Sequence, residues 1–312
     1  MSSSLLQEVS NGVAEAVAKG SASTVMVAAR DRYPCSGIIY DGDLILSADH
    51  VVERDSDIRI GLPAGESVRA SVVGRDVSSD LALLRLEDGS VQRAETSADV
   101  EVGRIVLALG RPNDGGIQAS LGVVSALGGP WQGGALDRFI MTDATGYPGF
   151  SGGPLVDVDG RLIGMNTYGS VLGQALTIPI DIAWTTAKKL LEHGTVKRGY
   201  LGIRSQAVDL PETVQDSLGR RQVEGLLVVG VEDGSPAALA SLMVGDILAG
   251  FGGVPITDHR ELLGRLKGDI VGTAVEIEII RGGRREIETI TVGEIPADSP
   301  RSRGSRRRAR RR

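Results

Sequence analysis

A chain of 312 residues is long enough for two or three domains. Hydrophobic residues make up 41% of it, while aromatics make up only 3% and glycine fills 43 positions, a balance that fits β-rich structure with many turns. The single cysteine, Cys35, excludes an internal disulfide framework. No apolar run approaches the ~18 residues of a membrane-spanning helix. The segment Met1–Gly20 lacks a basic stretch followed by an apolar one, so a cytoplasmic location is expected. The net charge of −6 hides an asymmetry: residues 301–312 hold eight arginines and no acid. Taking these eight from the 34 basic residues leaves 26 against 40 acidic ones, a balance of −14 for the rest. The body is acidic and the tail strongly basic.

Leu5, Val9, Val13 and Val17 recur at helical spacing and predict an amphipathic helix over 5–18, within an N-terminal segment 1–20. From Ser23 to Ala183, short apolar runs alternate with Gly, Asp, Asn and Pro turns. Examples are Thr24–Ala29, Leu44–Leu46, Val68–Val73, Leu81–Leu86, Ile105–Leu109 and Leu162–Met165, a rhythm that predicts an all-β barrel or sandwich. Asp181–Glu192 reads as a helix ended by His193-Gly194. Residues 196–198 form a linker. Tyr200–Glu294 forms a second unit with strands at Leu226–Val231 and Val275–Ile280 and helices at Pro236–Leu242 and Asp258–Lys267. From Ile295 onward Pro, Ser, Gly and Arg dominate, so 295–312 reads as a disordered tail.

Three segments carry chemistry. Gly149-Phe150-Ser151-Gly152-Gly153-Pro154-Leu155 presents a serine on a glycine-rich turn. There, backbone N–H groups can reach a developing oxyanion without side chains in the way. A serine hydroxyl is a weak nucleophile at neutral pH and needs a base. Of the three histidines, His50 follows the strand-like Leu44–Leu46, His193 sits at a helix end where histidine commonly serves the dipole, and His259 opens a helix far along the chain. His50 is therefore the base. Asp80 is placed to orient it because it directly precedes the apolar run Leu81–Leu84, while Asp76 reads as a solvated turn residue. The order His50, Asp80, Ser151 is that of a chymotrypsin-type triad, with Gly149 and Ser151 supplying the oxyanion hole.

Asp49-His50-Val51-Val52, Ser79-Asp80-Leu81-Ala82, and Thr142-Asp143-Ala144 through Leu155 together resemble the signature blocks of the HtrA (Deg) serine proteases. Gly164-Met165-Asn166-Thr167 and Leu176-Thr177-Ile178-Pro179 are similar to the family's last barrel strands, and Arg198-Gly199-Tyr200-Leu201-Gly202-Ile203 to the start of its PDZ domain. The resemblance runs over about residues 8–294. It implies a mainly β fold: a chymotrypsin-like double β-barrel over 21–195, then a PDZ domain over 199–294, β-sandwich-like with two helices. Phe150 stands where the family has Asn or Asp, and a bulky ring there could press on the oxyanion loop. The resemblance also implies a homo-oligomer, a trimer in the family. The short stretch from Ala29 to Ser36 and the absence of an aromatic-rich N-terminal segment argue against that assembly.

The same resemblance places Thr145 at the floor of the P1 pocket, with Ala175 and Leu176 as apolar wall, which implies small to medium aliphatic P1 residues. Tyr200, Leu201, Gly202 and Ile203 become a carboxylate-binding loop for peptide C-termini, with His259, Leu263 and Leu266 on the helix beside the groove. The implied activity is endopeptidase cleavage of exposed or misfolded polypeptides, with no metal and no cofactor. The alternative is a catalytically weak scaffold or chaperone that acts through its PDZ domain. The arginine tail reads as solvated or weakly polyanion-binding, with a nucleic-acid or anionic-membrane contact as the other readings.

Overall fold

The computed structural model describes residues 4–91, 93–129, 136–168, 176–197, 199–266 and 270–294. The arginine tail, Arg198 and Ala175 lie outside them. The chain divides into two compact units, the first ending at Val196 and the second beginning at Lys197.

The first unit opens with α1 (Leu5–Ser21), capped by the Ser4 hydroxyl on the Gln7 N–H. The helix runs past the predicted end at 18, and only the second half of the predicted stripe is covered. Val13 and Val17 pack on the core beside buried Ala16, whereas Leu5, Leu6 and Val9 are exposed.

Two closed six-stranded antiparallel barrels follow. The first takes β1 (Thr24–Ala28), β2 (Cys35–Asp41), β3 (Leu44–Ser47), β4 (Ile58–Gly61), β5 (Ser67–Asp76) and β6 (Leu81–Leu86) in the order β1-β2-β3-β6-β5-β4. The second takes β7 (Ile105–Gly110), β8 (Gln118–Gly128), β9 (Phe139–Thr142), β10 (Pro154–Val156), β11 (Leu162–Thr167) and β12 (Leu176–Pro179) in the order β10-β11-β12-β9-β8-β7. β3 and β11 are buried along their whole length, so they open on continuous apolar runs, Leu44–Leu46 and Leu162–Met165, which explains why the sequence shows so little alternation there. Helix α2 (Ile180–His193) buries Ala183, Ala187 and Leu190 and ends at Gly194 in the left-handed conformation, whose N–H closes on the Leu190 carbonyl.

Phe150 does not press on the oxyanion loop. Its side chain is fully buried in the second barrel's core with Val106, Ala108, Val124, Ile140, Leu155 and Ile163. Gly110 makes the room, since a Cβ there would come within 2.5 Å of the Phe150 ring.

The second unit is a sheet in the order β14 (Ile203–Asp209), β15 (Glu224–Val231), β16 (Ile247–Phe251), β18 (Ala274–Arg281), β19 (Arg284–Thr291), with β17 (Val254–Pro255) beside β16. A short pair, β13 (Gly199–Tyr200) with β20 (Gly293–Glu294), joins its ends. Helices α3 (Glu212–Leu218), α4 (Pro236–Leu239) and α5 (His259–Arg265) cover it. One core holds Leu226, Leu248, Phe251, Leu262, Leu266, Ile277 and Ile290. Leu266 is thus a core residue, and Leu263 is only half-buried.

Because the Phe150 ring fills the second barrel beside the nucleophile turn, Phe150→Ala should destabilise the protein by about 3–5 kcal/mol. Gly110→Ala should also destabilise it, by forcing the same ring aside. Urea unfolding of each variant measures both.

Candidate active site and peptide groove

His50 sits in a one-turn 3₁₀ helix, Asp49–Val51, directly after β3. Arg75 clamps this turn from both sides. Its guanidinium donates to Asp49 Oδ1 at 2.8 Å and to the Val52 carbonyl at 2.7 Å, and it continues to Asp55 and the Arg54 carbonyl. Burial pushes the Asp49 carboxyl up against the opposing pull of Arg75.

Asp80 lies just before β6 with a left-handed backbone, φ 58°, a region that Asp tolerates better than most residues but still at a cost. The turn leading into it is tied by Asp76, which is buried rather than solvated. Its carboxylate accepts the Ser79 hydroxyl at 2.5 Å and the Ser78 N–H at 3.2 Å. Asp76 therefore builds the approach to Asp80 instead of rivalling it.

The structure brings His50 and Asp80 together. Asp80 Oδ2 is 2.7 Å from His50 Nδ1, and Asp80 Oδ1 accepts the His50 N–H at 2.9 Å. Thr167, at the end of β11 in the other barrel, donates its hydroxyl to Asp80 Oδ2. Burial pushes the His50 pKa down, but the Asp80 charge and hydrogen bond outweigh it, so the net shift is upward from 6.5.

Ser151 is buried at the tip of the second barrel's turn. Tyr147-Pro148-Gly149-Phe150 forms a turn closed by Phe150 N–H on the Tyr147 carbonyl at 3.0 Å, with Gly149 at φ 92°. Proline second and a positive-φ glycine third fit a type II turn. Neither the Gly149 N–H nor the Ser151 N–H donates to any described residue. Both remain available to an oxyanion. Among the described residues His50 and Ser151 share no hydrogen bond. Ser151 Oγ instead accepts the Tyr168 N–H at 3.2 Å.

The expected pocket residues divide. Thr145 is exposed and engages Ser120 through its carbonyl; Leu176 is buried in β12; Ala175 lies outside the described residues. The side chain that fills this corner is Tyr168. Its ring lies so close to Gly146 that a Cβ on Gly146 would meet it at 1.9 Å, and its buried hydroxyl has no hydrogen-bond partner among the described residues.

In the second unit, Leu201 and Gly202 turn both carbonyls inward, onto the N–H groups of Ala237 and Glu232 at 2.8 Å each. Their own N–H groups donate to no described residue. Ile203 starts β14, which forms an edge of the sheet, and the Tyr200 hydroxyl donates to Glu232. His259 Nε2 contacts Ser205 Oγ at 2.9 Å and the Ser205 carbonyl at 3.0 Å, so α5 flanks that edge. Among the described residues there is no metal-binding cluster.

Arg75, Thr167 and Tyr168 were not singled out as site residues in the sequence. Arg75 and Thr167 reach the triad from distant strands, and a lone Arg or Thr carries no local signature. Tyr168 had a partial signal, since it directly follows the block Gly164–Thr167.

Two closed barrels that meet at a histidine, an aspartate and a serine, followed by an edge-strand peptide groove, define the class of chymotrypsin-like proteases carrying a PDZ domain. Comparison with known proteins agrees. Residues 35–165 match the trypsin-like peptidase domain family and residues 199–292 the PDZ domain family. A DegP-like periplasmic serine endoprotease of Pseudomonas fluorescens is 34% identical over 274 residues, 84% of this chain and 56% of that protein. One from Rhizobium meliloti is 33% identical over 270 residues, covering 84% and 53%. The chain thus spans about half the length of the curated relatives it matches. Among solved structures, the HtrA-type protease AlgW with a bound tripeptide is 30% identical with a TM-score of 0.76, covering 91% of this chain and 97% of that one. The serine endoprotease of Yersinia pestis is 28% identical with a TM-score of 0.76, covering 91% and 98%. The chain belongs to the HtrA-type serine proteases.

The relatives overturn the expected cytoplasmic location, since those matched are named periplasmic. The expectation rested on the first twenty residues, which carry no information about what precedes them in a longer protein. No described helix is long and apolar enough to cross a membrane.

Because the Asp80 carboxylate holds His50 above 6.5, the imidazole should titrate above that value in Ser151→Ala and fall when Asp80→Asn is added. NMR of the His50 ring protons reads both. The sign for stability follows: the charged imidazole contributes fully below its unfolded pKa, and that contribution fades as pH rises through the higher folded value.

Proposed function

We propose that this chain is a serine endopeptidase in which Ser151 attacks, His50 is the general base and Asp80 orients and charge-stabilises the imidazole. The observation that carries this reading is the His50–Asp80 pair beside Ser151, with two uncommitted backbone N–H groups on the same turn. In the reaction the Ser151 hydroxyl, whose oxygen accepts the Tyr168 N–H, donates its proton to His50 Nε2. The proton passes to His50 as Oγ bonds to the scissile carbonyl carbon. The carbonyl oxygen gathers negative charge between the Gly149 and Ser151 N–H groups. Imidazolium then returns the proton to the leaving amine, and water releases the acyl group by the reverse sequence. The side-by-side packing of Tyr168 and Gly146 supports a neutral pocket for the P1 side chain. Among the described residues no carboxylate is placed to meet a basic side chain, and burying Lys or Arg there unpaired is costly.

The PDZ domain is proposed to bind peptide C-termini. The Leu201 and Gly202 N–H groups, which donate to no described residue, would receive the peptide's carboxylate, and the peptide would add as a strand along β14. A Ser or Thr hydroxyl two residues before the peptide's end would displace the Ser205 hydroxyl from His259. Related HtrA-type proteins were solved with peptides bound, which supports a peptide ligand here. By the names of its relatives, the place of action is the periplasm.

The scaffold alternative drew its sequence support from Phe150. That support weakens once the ring is seen in the barrel core.

Two measurements test the proposal. Wild-type protein should hydrolyse casein and react with a fluorophosphonate probe, and Ser151→Ala should do neither, with kcat lower by several orders of magnitude. In the uncleaving Ser151→Ala protein, a peptide with a free apolar C-terminus should bind, whereas its amidated form should not. Equal affinities in calorimetry would refute carboxylate capture.

A further inference from the structure

Ser36 is fully buried near the start of β2, in the first barrel, yet most of its polar contacts reach the second. Its hydroxyl donates to the Gly149 carbonyl at 2.6 Å and accepts the Arg111 N–H at 2.8 Å. Its own N–H donates to the Ser151 carbonyl at 3.1 Å. Its carbonyl accepts the hydroxyl of Ser47, three residues before His50, at 2.8 Å.

The Gly149–Phe150 peptide is therefore held at both ends. Ser36 fixes its carbonyl, and the Tyr147 carbonyl fixes its N–H. This peptide lies between the planes that carry the Gly149 and Ser151 N–H groups, neither of which donates to a described residue, and its orientation decides whether its own dipole opposes the charge they would receive. If it rotated by half a turn, the Gly149 oxygen would leave Ser36, the Phe150 N–H would swing out, and a carbonyl dipole would face the place where negative charge must develop. Gly149 has no Cβ and sits at positive φ, so the local chain offers little resistance to such a rotation. The resistance comes from the two anchors, and Ser36 is the one supplied from the first barrel.

We infer that Ser36 is a positioning residue that holds the oxyanion loop in its donating form and couples it to the His50 side of the site. The link runs further. The Arg111 guanidinium donates to the Thr24 carbonyl at 2.9 Å and to the Ser21 carbonyl at the end of α1, and burial lowers its pKa. The hydroxyl that steadies Gly149 is thus itself oriented by a residue anchored on the N-terminal helix.

The inference rests on the endopeptidase reading, so the wild-type full chain serves as the control. It must cleave a peptide and label with the fluorophosphonate; if it does neither, that reading fails before this one is tested. Ser36→Ala is then expected to lower kcat roughly 10- to 100-fold, below or at the low end of the loss from removing one oxyanion donor outright. KM should stay within about twofold. A tetrahedral mimic, a peptide aldehyde of the substrate sequence, should lose affinity in proportion to kcat. The unreactive product peptide should bind as before. A merely structural role predicts something else: a lower melting temperature, with mimic and product weakened alike or not at all. Ser36→Cys, close in size but a weaker donor, should show the same selective loss to a smaller degree and carries the test if the alanine variant does not fold. Wild-type kcat in the folded variant, or equal weakening of mimic and product, overturns the inference.

Discussion

The geometry of the proposed catalytic centre depends on one carboxylate. Asp80 accepts from His50 twice, through the ring and through the backbone, and from Thr167 across the barrel interface. Three donors on one carboxylate leave it little freedom to rotate, and the imidazole inherits that fixity. The price is a non-glycine residue at φ 58°. Strain of this kind persists only where the surroundings over-determine it, and here they do. The Asp80 carbonyl accepts the Asp49 N–H at 3.1 Å, while Asp76, Ser78 and Ser79 tie the preceding turn. The left-handed residue re-aims the chain so that β6 enters the barrel while the carboxylate faces His50.

Much of this was legible in the sequence because the catalytic groups fall in local motifs. Glycines around Ser151, an apolar run after Asp80 and a strand before His50 are features of a few consecutive residues. The barrels were legible for a similar reason, since short apolar runs broken by turns leave few alternatives. Phe150 and Asp76 were misread because their environments are tertiary. An aromatic ring beside a nucleophile looks obstructive until Gly110, forty residues away, is seen to vacate the space it fills. An aspartate in a polar turn looks solvated until its neighbours' hydroxyl and N–H close over it.

Ser36, Arg75, Thr167 and Tyr168 show the same limit from another side. Each acts through a partner at least sixteen residues away, by one or two hydrogen bonds that leave no periodic trace. Long-range polar contacts of this type are individually modest, about 0.5–1.5 kcal/mol net. Their effect here is directional. Arg75 closes both ends of the His50 turn, Thr167 closes the Asp80 carboxylate, and Ser36 closes the Gly149 carbonyl. Each group of the proposed site is thereby held by a residue outside it.

The partner of Ser151 sets how far this geometry stands from reaction. Its Oγ accepts from the Tyr168 N–H at 3.2 Å, near the long end of the N–H···O range. A bond of that length is on the weak side of the ~1 kcal/mol that a neutral hydrogen bond contributes net. A hydroxyl donates and accepts at once, so this bond does not compete with donation to His50 Nε2, and Ser151 is also held by its carbonyl on the Ser36 N–H. Catalytic hydrogen bonds are often formed only once substrate is bound. In the proposed reaction, a peptide whose carbonyl enters the pocket of Gly149 and Ser151 N–H groups draws Oγ towards its carbon, and the hydroxyl proton passes to His50 Nε2. In that reading the Tyr168 N–H steadies Oγ in the free chain, and the strength of its hold is small beside the charge stabilisation that an oxyanion hole supplies.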